Sequence, residues 1–98
     1  MIILSHQETI EGLKEIPGWT HQAKSLTRTY KFETFLLGIA FVRRIAKRAE
    51  KLQHHPDIDI RFDKVKLTNT THDAGGLTAK DFELAEQCDN VFAKFSED

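Results

Sequence analysis

The chain has 98 residues, a size typical of a single domain with a modest core. It is 40% hydrophobic and 30% charged, which argues against disorder, and its net charge of -1 gives no global electrostatic case for nucleic acid or an acidic membrane as partner. One cysteine, Cys88, excludes an internal disulfide framework and indicates a reducing compartment. No run approaches the roughly 20 apolar residues of a membrane span, so we expect a soluble cytoplasmic protein.

The first third of the chain predicts a helix followed by two strands. Ser5 and Glu8 have the spacing of a capping box, and Pro17-Gly18 stops the helix that they open. A short strand is expected from Trp19, an anchor of the core or its rim. Residues 25–32 alternate between apolar and polar side chains, which is typical of a strand with one wet face, although Arg28 breaks the apolar parity.

Residues 33–53 predict the longest helix. Its expected buried stripe recurs at helical spacing through Phe32, Phe35, Leu36, Ile39, Val42, Ala46, Ala49 and Leu52. Its C-terminal half is basic, with Arg43, Arg44, Lys47, Arg48 and Lys51. We interpret this cluster as a solvated face that the helix dipole favours, with an anion-binding patch as the alternative. Gly38, in mid-helix, indicates a close packing contact.

The remaining chain predicts a hairpin and a last helix. Residues 58–62 and 65–67 alternate as paired strands around a turn at Asp63-Lys64. After Gly75-Gly76, the segment Thr78 to Asp81 opens the last helix, with aspartate in the place of the usual capping-box glutamate. Adjacent strands joined by tight turns favour an α+β fold: a two-layer sandwich, with a four-stranded antiparallel sheet and three helices on one face, as one domain over residues 1–98.

Three histidines are the main candidates for chemistry, because imidazole exchanges protons near neutral pH. His54 and His55 follow the long helix and precede Pro56, and His72 follows the hairpin. A turn at residues 63 and 64 would place His55 opposite His72, at one end of the sheet. A three-histidine zinc site is an alternative, but neighbours on an extended segment point to opposite sides and would not readily share one ion. We therefore expect no metal and no other cofactor.

Taken together, these segments resemble the signature of the pterin-4a-carbinolamine dehydratases, also called 4a-hydroxytetrahydrobiopterin dehydratases. The resemblance rests on the run from Glu50 to Pro56, on Phe62-x-Lys64-Val65, and on the run from Thr71 to Asp81 with its His-x-x-Gly-Gly-Leu-Thr order. It extends outward to Gly18-Trp19, to the predicted strand over residues 25–32 and to the long helix after it. Each piece alone is weak, but all of them in order are specific.

The resemblance implies a sandwich of this kind and the dehydration of a 4a-hydroxytetrahydropterin to the quinonoid dihydropterin, in tetrahydrobiopterin recycling. By position, it implies that His54, His55 and His72 are catalytic. It implies further substrate-binding residues at Pro56, Thr71, His72, Asp73 and Ala74. Two acidic positions of the motif, Glu50 and Asp81, could orient histidines, with a simple helix-capping role as the alternative for Asp81.

The resemblance also implies a homodimer or homotetramer, and it carries a competing function. Some relatives act without catalysis, as a dimerisation cofactor of a transcription factor or in the assembly of a large enzyme. The intact histidines favour the enzyme. One departure concerns the pocket wall: residues 57–60 read Asp-Ile-Asp-Ile where some members carry aromatic residues, and Phe62 replaces a frequent tyrosine.

Overall fold

The computed structural model describes residues 2–96, and Met1 and the last two residues of the predicted domain lie outside them. The elements in chain order are α1 (His6–Glu15), β1 (Thr20–Gln22), β2 (Ser25–Lys31), α2 (Phe35–Leu52), β3 (Asp57–Arg61), β4 (Lys64–Asn69), a 3₁₀ turn (His72–Ala74) and α3 (Ala79–Ser96). The four strands form one antiparallel sheet in the order β1-β2-β4-β3. The predicted α+β architecture is confirmed.

Local sequence explains where α1 begins. The Ser5 hydroxyl accepts a hydrogen bond from the backbone N–H of Glu8 at 3.1 Å, and the Glu8 carboxylate accepts one from the backbone N–H of Ser5 at 2.8 Å. Both bonds of the predicted capping box are therefore present. The backbone bond, more than the hydroxyl bond, lowers the pKa of Glu8 from its ordinary value.

The core lies between the sheet and the helices. Tyr30 and Phe32 of β2 pack against Phe41 of α2 and Phe92 of α3, with ring centroids 4.8–6.0 Å apart. Gly38 is buried against Val65 of β4, so the close contact expected at this glycine is confirmed. The core therefore joins α2 and α3 to the two central strands.

The buried stripe predicted for α2 is half right: Phe32 and Ala49 are buried, and Val42 and Leu52 pack against the core, but the other four predicted residues are exposed. The buried residues of α2 are Gly38, Phe41, Ile45 and Ala49. Phe35, Leu36 and Ile39 are exposed, and so is Ala46. The helix carries apolar residues on two adjacent faces, and periodicity alone does not tell which of them meets the sheet.

Arg28 breaks the parity of β2 for a structural reason. Its guanidinium lies 4.4 Å from the centre of the Tyr30 ring and donates to Asp89 Oδ1 of α3 at 2.8 Å. The same oxygen accepts from Trp19 Nε1 at 3.0 Å and from the Tyr30 hydroxyl at 2.5 Å. Burial, followed by the bond to Asp89, raises the pKa of Tyr30, which therefore stays protonated. Trp19 is a buried anchor, as predicted, and β1 starts one residue after it.

The hairpin turn falls one residue earlier than predicted. Arg61 pairs with Lys64, so the two turn residues are Phe62 and Asp63, and Phe62 takes the left-handed conformation with φ of 52°. The predicted pairing of His55 with His72 is thus wrong by two positions, and β4 ends at Asn69 before it could reach His72. A shift of two keeps every side chain on its own face, so the hydrophobic pattern fits both registers equally well.

Candidate active site

The C-terminus of α2 sets the position of the paired histidines. Gln53 caps the helix in the left-handed conformation, with φ of 54°, and the backbone N–H of His54 donates to Ala49 O at 3.0 Å. Pro56 then restricts His55 to extended geometry and prevents another helical turn. The chain leaves the helix over these residues and enters β3 at Asp57.

His54 forms the buried half of the site. Its Nε2 lies 2.6 Å from Asp81 Oδ1, with side-chain exposures of 10% for His54 and 0% for Asp81. With Asp81 as a carboxylate, Nε2 is the donor in this contact, because a carboxylate only accepts hydrogen bonds. Nδ1 of His54 has no hydrogen-bond partner among residues 2–96, which leaves it available to a ligand.

The second carboxylate oxygen of Asp81 holds two further residues, Thr71 and Thr78, in place behind His54. This oxygen, Oδ2, accepts from the backbone N–H of Thr78 at 2.9 Å and from the Thr71 hydroxyl at 2.7 Å. The Thr71 and Thr78 hydroxyls lie 2.9 Å apart. Asp81 therefore caps α3 with one oxygen and contacts His54 with the other. Helix capping and contact with a histidine, the two roles considered for this residue, are thus compatible.

His55 forms a different pair on the open side. Its Nε2 contacts Glu50 Oε2, with side-chain exposures of 60% for His55 and 71% for Glu50. The two neighbouring histidines thus contact different carboxylates, as expected for side chains that point to opposite sides of an extended segment.

His72 enters from the second segment, where β4 has ended. The 3₁₀ turn His72–Ala74 closes at Gly75, whose φ of 75° favours glycine, and Thr71 N donates to Gly76 O at 3.2 Å. This tight turn anchors Thr71 beside Asp81 and leaves His72 exposed. Across the described residues, the His72 side chain has no hydrogen-bond partner.

The two segments meet at a cavity of about 340 Å³. Its lining consists of Gln53, His54, His55, Thr70, Thr71, His72, Asp73 and Lys80. The structure therefore brings together all three predicted histidines, even though the strand register used to predict their meeting was wrong. Thr71 and Asp73 also line the cavity as predicted, whereas Pro56 and Ala74 are not in its lining.

Sequence reasoning missed three lining residues: Gln53, Thr70 and Lys80. Gln53 and Thr70 each stand directly before a residue of the motif, and this position in the chain was the one sequence feature that could have indicated a place in the site. Lys80 is held in place because its Nζ donates to Leu52 O at 3.2 Å, a contact between α3 and the end of α2 that no sequence pattern indicates.

Residues 2–96 contain no group of three or more histidine, cysteine, aspartate or glutamate side chains arranged to hold a metal ion. Over the same residues, no helix is both long and apolar enough to cross a membrane. Cys88 lies apart from the site, fully buried, and its burial raises the pKa of the thiol to about 12.

Comparison with known protein families gives a match over most of the chain. The family model for pterin 4 alpha carbinolamine dehydratase matches residues 3–91, which include both histidine segments and most of α3. This chain belongs to the pterin 4 alpha carbinolamine dehydratase family. The resemblance seen in the motifs is thereby confirmed.

Relatives in this family are similar to the chain over nearly their whole length. A protein of Roseiflexus sp. (strain RS-1), provisionally named a pterin-4-alpha-carbinolamine dehydratase, is 51% identical over 90% of this chain and 95% of its own. A provisionally named dehydratase of Mycolicibacterium smegmatis is 45% identical over 95% of this chain and 99% of its own.

Two solved structures show the same architecture. A protein from Brucella melitensis, described as a transcriptional coactivator/pterin dehydratase, has a TM-score of 0.88 at 30% identity and covers 92% of this chain and 98% of its own. A pterin dehydratase-like protein, described as a RuBisCO assembly factor of the alpha-carboxysome, has a TM-score of 0.65 at 22% identity over 76% of this chain and 88% of its own. The latter likeness is one of fold alone.

Proposed function

We propose that the chain is a dehydratase that converts a 4a-hydroxytetrahydropterin to the quinonoid dihydropterin and water, in tetrahydrobiopterin recycling. The observation that carries this proposal is the cavity in which His54, His55 and His72 meet, in a chain of the pterin carbinolamine dehydratase family. A single, buried and free thiol, Cys88, supports a cytoplasmic location for the reaction.

The chemistry needs only proton transfer. A base removes the proton from the ring nitrogen next to C4a, the electron pair of that bond forms the new carbon–nitrogen double bond, and an acid protonates the departing hydroxide to give water. No electron is gained or lost overall. Positioned histidines serve as acid and base, and each such contribution is worth about 10² to 10⁴-fold in rate.

We assign the base to His54. Its Nε2 is hydrogen-bonded to the buried carboxylate of Asp81. This carboxylate orients the imidazole ring and stabilises the imidazolium that forms when Nδ1 accepts a proton. The acid is then one of the two exposed histidines, His55 or His72, which lie on the open side of the cavity.

Asp73 is the substrate-binding residue that we propose for the pterin ring. The amino group and adjacent ring N–H of a pterin form a donor pair that a carboxylate can accept in bidentate fashion. Asp73 lines the cavity and is exposed. The Thr71 hydroxyl is already engaged by Asp81 and Thr78, so we give Thr71 a positioning role.

The decisive experiment compares His72→Ala with the wild type in the dehydration of a purified 4a-carbinolamine, followed by absorbance. We expect a loss of about 100-fold in kcat/KM. His21→Ala is the control, because His21 is exposed on β1 and does not line the cavity. Wild-type rates in His72→Ala would refute the assignment.

The competing function is a non-enzymatic one on the same fold, as a dimerisation or assembly cofactor. This alternative is considered because two similar structures are described as a coactivator and as an assembly factor. The contact between His54 and Asp81 favours the enzyme, because a fully buried carboxylate is costly to desolvate and scaffolding gives no reason to place it against a cavity histidine.

We also propose that the chain forms a homo-oligomer through an apolar edge surface. This surface consists of Phe35, Leu36 and Ile39 of α2, Ile58 and Ile60 of β3, and Phe62 of the turn, all of them exposed. Strand β3 is one of the two outer strands of the sheet, so its free backbone edge is open to pairing with a second copy. The apolar side chains would then be covered by their own equivalents.

Light scattering tests this assembly. We expect a dimer or tetramer for the wild type and a monomer for Ile60→Lys, because a charge at the covered edge opposes association. Ile10→Lys on α1 is the matched control, since Ile10 is 39% exposed and Ile60 38%. A wild-type protein that stays monomeric at high concentration would refute the proposal.

A further inference from the structure

A basic groove runs between the C-terminal half of α2 and α3, outside the histidine cavity. It consists of two concavities of about 640 Å³ and about 250 Å³, which share Lys47 and Arg48. Its lining comprises Arg44, Lys47, Arg48, Lys51, Leu52, Gln87, Val91 and Lys94. Five of these eight residues are cationic and none is acidic, in a chain whose formal net charge is -1.

Contacts inside the groove hold two of its arginines in place without pairing them with a carboxylate. Arg48 is half-buried and its Nη1 donates to Gln87 Oε1 at 3.4 Å, while the Arg44 guanidinium lies 4.9 Å from the centre of the Phe95 ring. Within residues 2–96, none of the five groove cations forms an ion pair with a carboxylate. Like charges at this density repel one another, so a bound anion would relieve the repulsion.

The groove adjoins the histidine cavity at the C-terminus of α2. Leu52 lines the larger concavity, and the next residue, Gln53, lines the cavity. Lys80 also lines the cavity, and its Nζ donates to Leu52 O at 3.2 Å, at the junction between the two. A ligand seated on the histidines could therefore extend past Lys80 into the groove without leaving the protein surface.

We infer that this groove is a subsite for the substrate's own side chain, and that the substrate is a pterin whose side chain carries several negative charges. This inference rests on the proposed dehydratase function. From Gln53 to Lys47 the helix rises about 9 Å, a span that a triphosphate or two to three glutamate units can cover. Phosphates and carboxylates share the chemistry that arginine and lysine recognise.

The test compares three carbinolamines with the same ring and different side chains: a neutral dihydroxypropyl chain, a triphosphate ester and a chain of three glutamates. For the wild type, we expect the KM of at least one anionic substrate to be about tenfold lower than that of the neutral one, with similar kcat. The anionic substrate with the lower KM shows whether the natural side chain carries phosphates or carboxylates. Equal KM values for all three would overturn the inference and leave the dehydratase proposal standing.

Variants locate the effect. The double variant Lys47→Gln/Lys51→Gln should lose about tenfold in the ratio of kcat/KM for the anionic over the neutral substrate. The control Lys64→Gln/Lys66→Gln removes the same charge from exposed positions on β4, outside the groove, and should keep the wild-type ratio. If both double variants lower the ratio equally, the preference is a general charge effect and the groove is not the subsite.

A binding measurement separates this inference from the proposed reaction. Calorimetry with the fully oxidised pterin triphosphate and its unphosphorylated form requires no turnover. Tighter binding of the triphosphate that is lost in Lys47→Gln/Lys51→Gln would support the groove even if no carbinolamine were dehydrated. Equal affinities of the two pterins would overturn it, whatever the activity.

Discussion

Two histidine–carboxylate pairs lie side by side in this site and differ mainly in burial. His54 and Asp81 are almost completely shielded from solvent, whereas His55 and Glu50 are mostly exposed. An exposed pair is screened by water and is worth little, while a buried carboxylate without its partner is strongly unfavourable. Contacts of the same type therefore carry different roles: we expect His54 and Asp81 to act as a unit, and the contact of Glu50 with His55 to matter little to the rate.

The largest expected difference is in activity. Asp81→Asn should lower kcat/KM for carbinolamine dehydration by about 100-fold or more, because an amide cannot stabilise the imidazolium of His54. Glu50→Gln should change it by less than about threefold, since its contact with His55 is exposed.

Thermal unfolding is the control for this pair of variants. The asparagine oxygen at position 81 can still accept the bond from Thr78 N, so a folded but slow enzyme is expected. Equal losses in the two variants would break the distinction between the inner and outer pairs.

The second difference is in stability. His54→Ala should lower the free energy of unfolding by about 2 kcal/mol, because Asp81 Oδ1 would remain buried without its partner. His55→Ala should cost less than about 0.5 kcal/mol, as for other exposed substitutions. Urea denaturation at neutral pH measures both, and similar costs for the two alanines would contradict the burial argument.

The smallest expected effect concerns Cys88, which lies two turns after Asp81 on α3. Burial raises its pKa to about 12, so at pH 8 about one molecule in 10⁴ carries the reactive thiolate. Iodoacetamide should therefore leave the native wild type unmodified, and labelling should become faster as pH rises toward 12.

Removal of the Asp81 cap at the start of α3 should make the Cys88 thiol more accessible. Asp81→Ala should raise the rate of Cys88 alkylation up to about tenfold through local opening of α3, and Glu50→Ala should leave it unchanged. Mass spectrometry follows the reaction. Rapid labelling of the wild type at pH 8 would show that α3 opens far more readily than its packing implies.

Much of the fold could be predicted because its signals are local. The serine–glutamate cap of α1, the Pro17-Gly18 stop and the alternation in β2 each depend on neighbours in the chain. The meeting of the histidines was also predictable, since the two segments flank one hairpin and must end at the same side of the sheet.

The wrong predictions, for the hairpin turn and the buried face of α2, concern places where two structures fit the same hydrophobic pattern. A turn at residues 62 and 63 and a turn at 63 and 64 leave every strand residue on the same face, so only backbone geometry at Phe62 separates them. Likewise, α2 carries one apolar face for the core and another that stays exposed at Leu36, and periodicity does not rank them. The contact of Asp81 with His54 joins residues 27 apart, and the resemblance implied only that Asp81 could orient a histidine, not which one.

The most direct test of the central claim is a double-mutant cycle on the dehydration rate. His54→Ala, Asp81→Asn and the double variant are compared with the wild type in kcat/KM for the 4a-carbinolamine. If Asp81 acts through His54, the double variant should be no slower than His54→Ala alone. Independent losses that multiply in the double variant would contradict the account, as would a wild-type protein that does not dehydrate the carbinolamine.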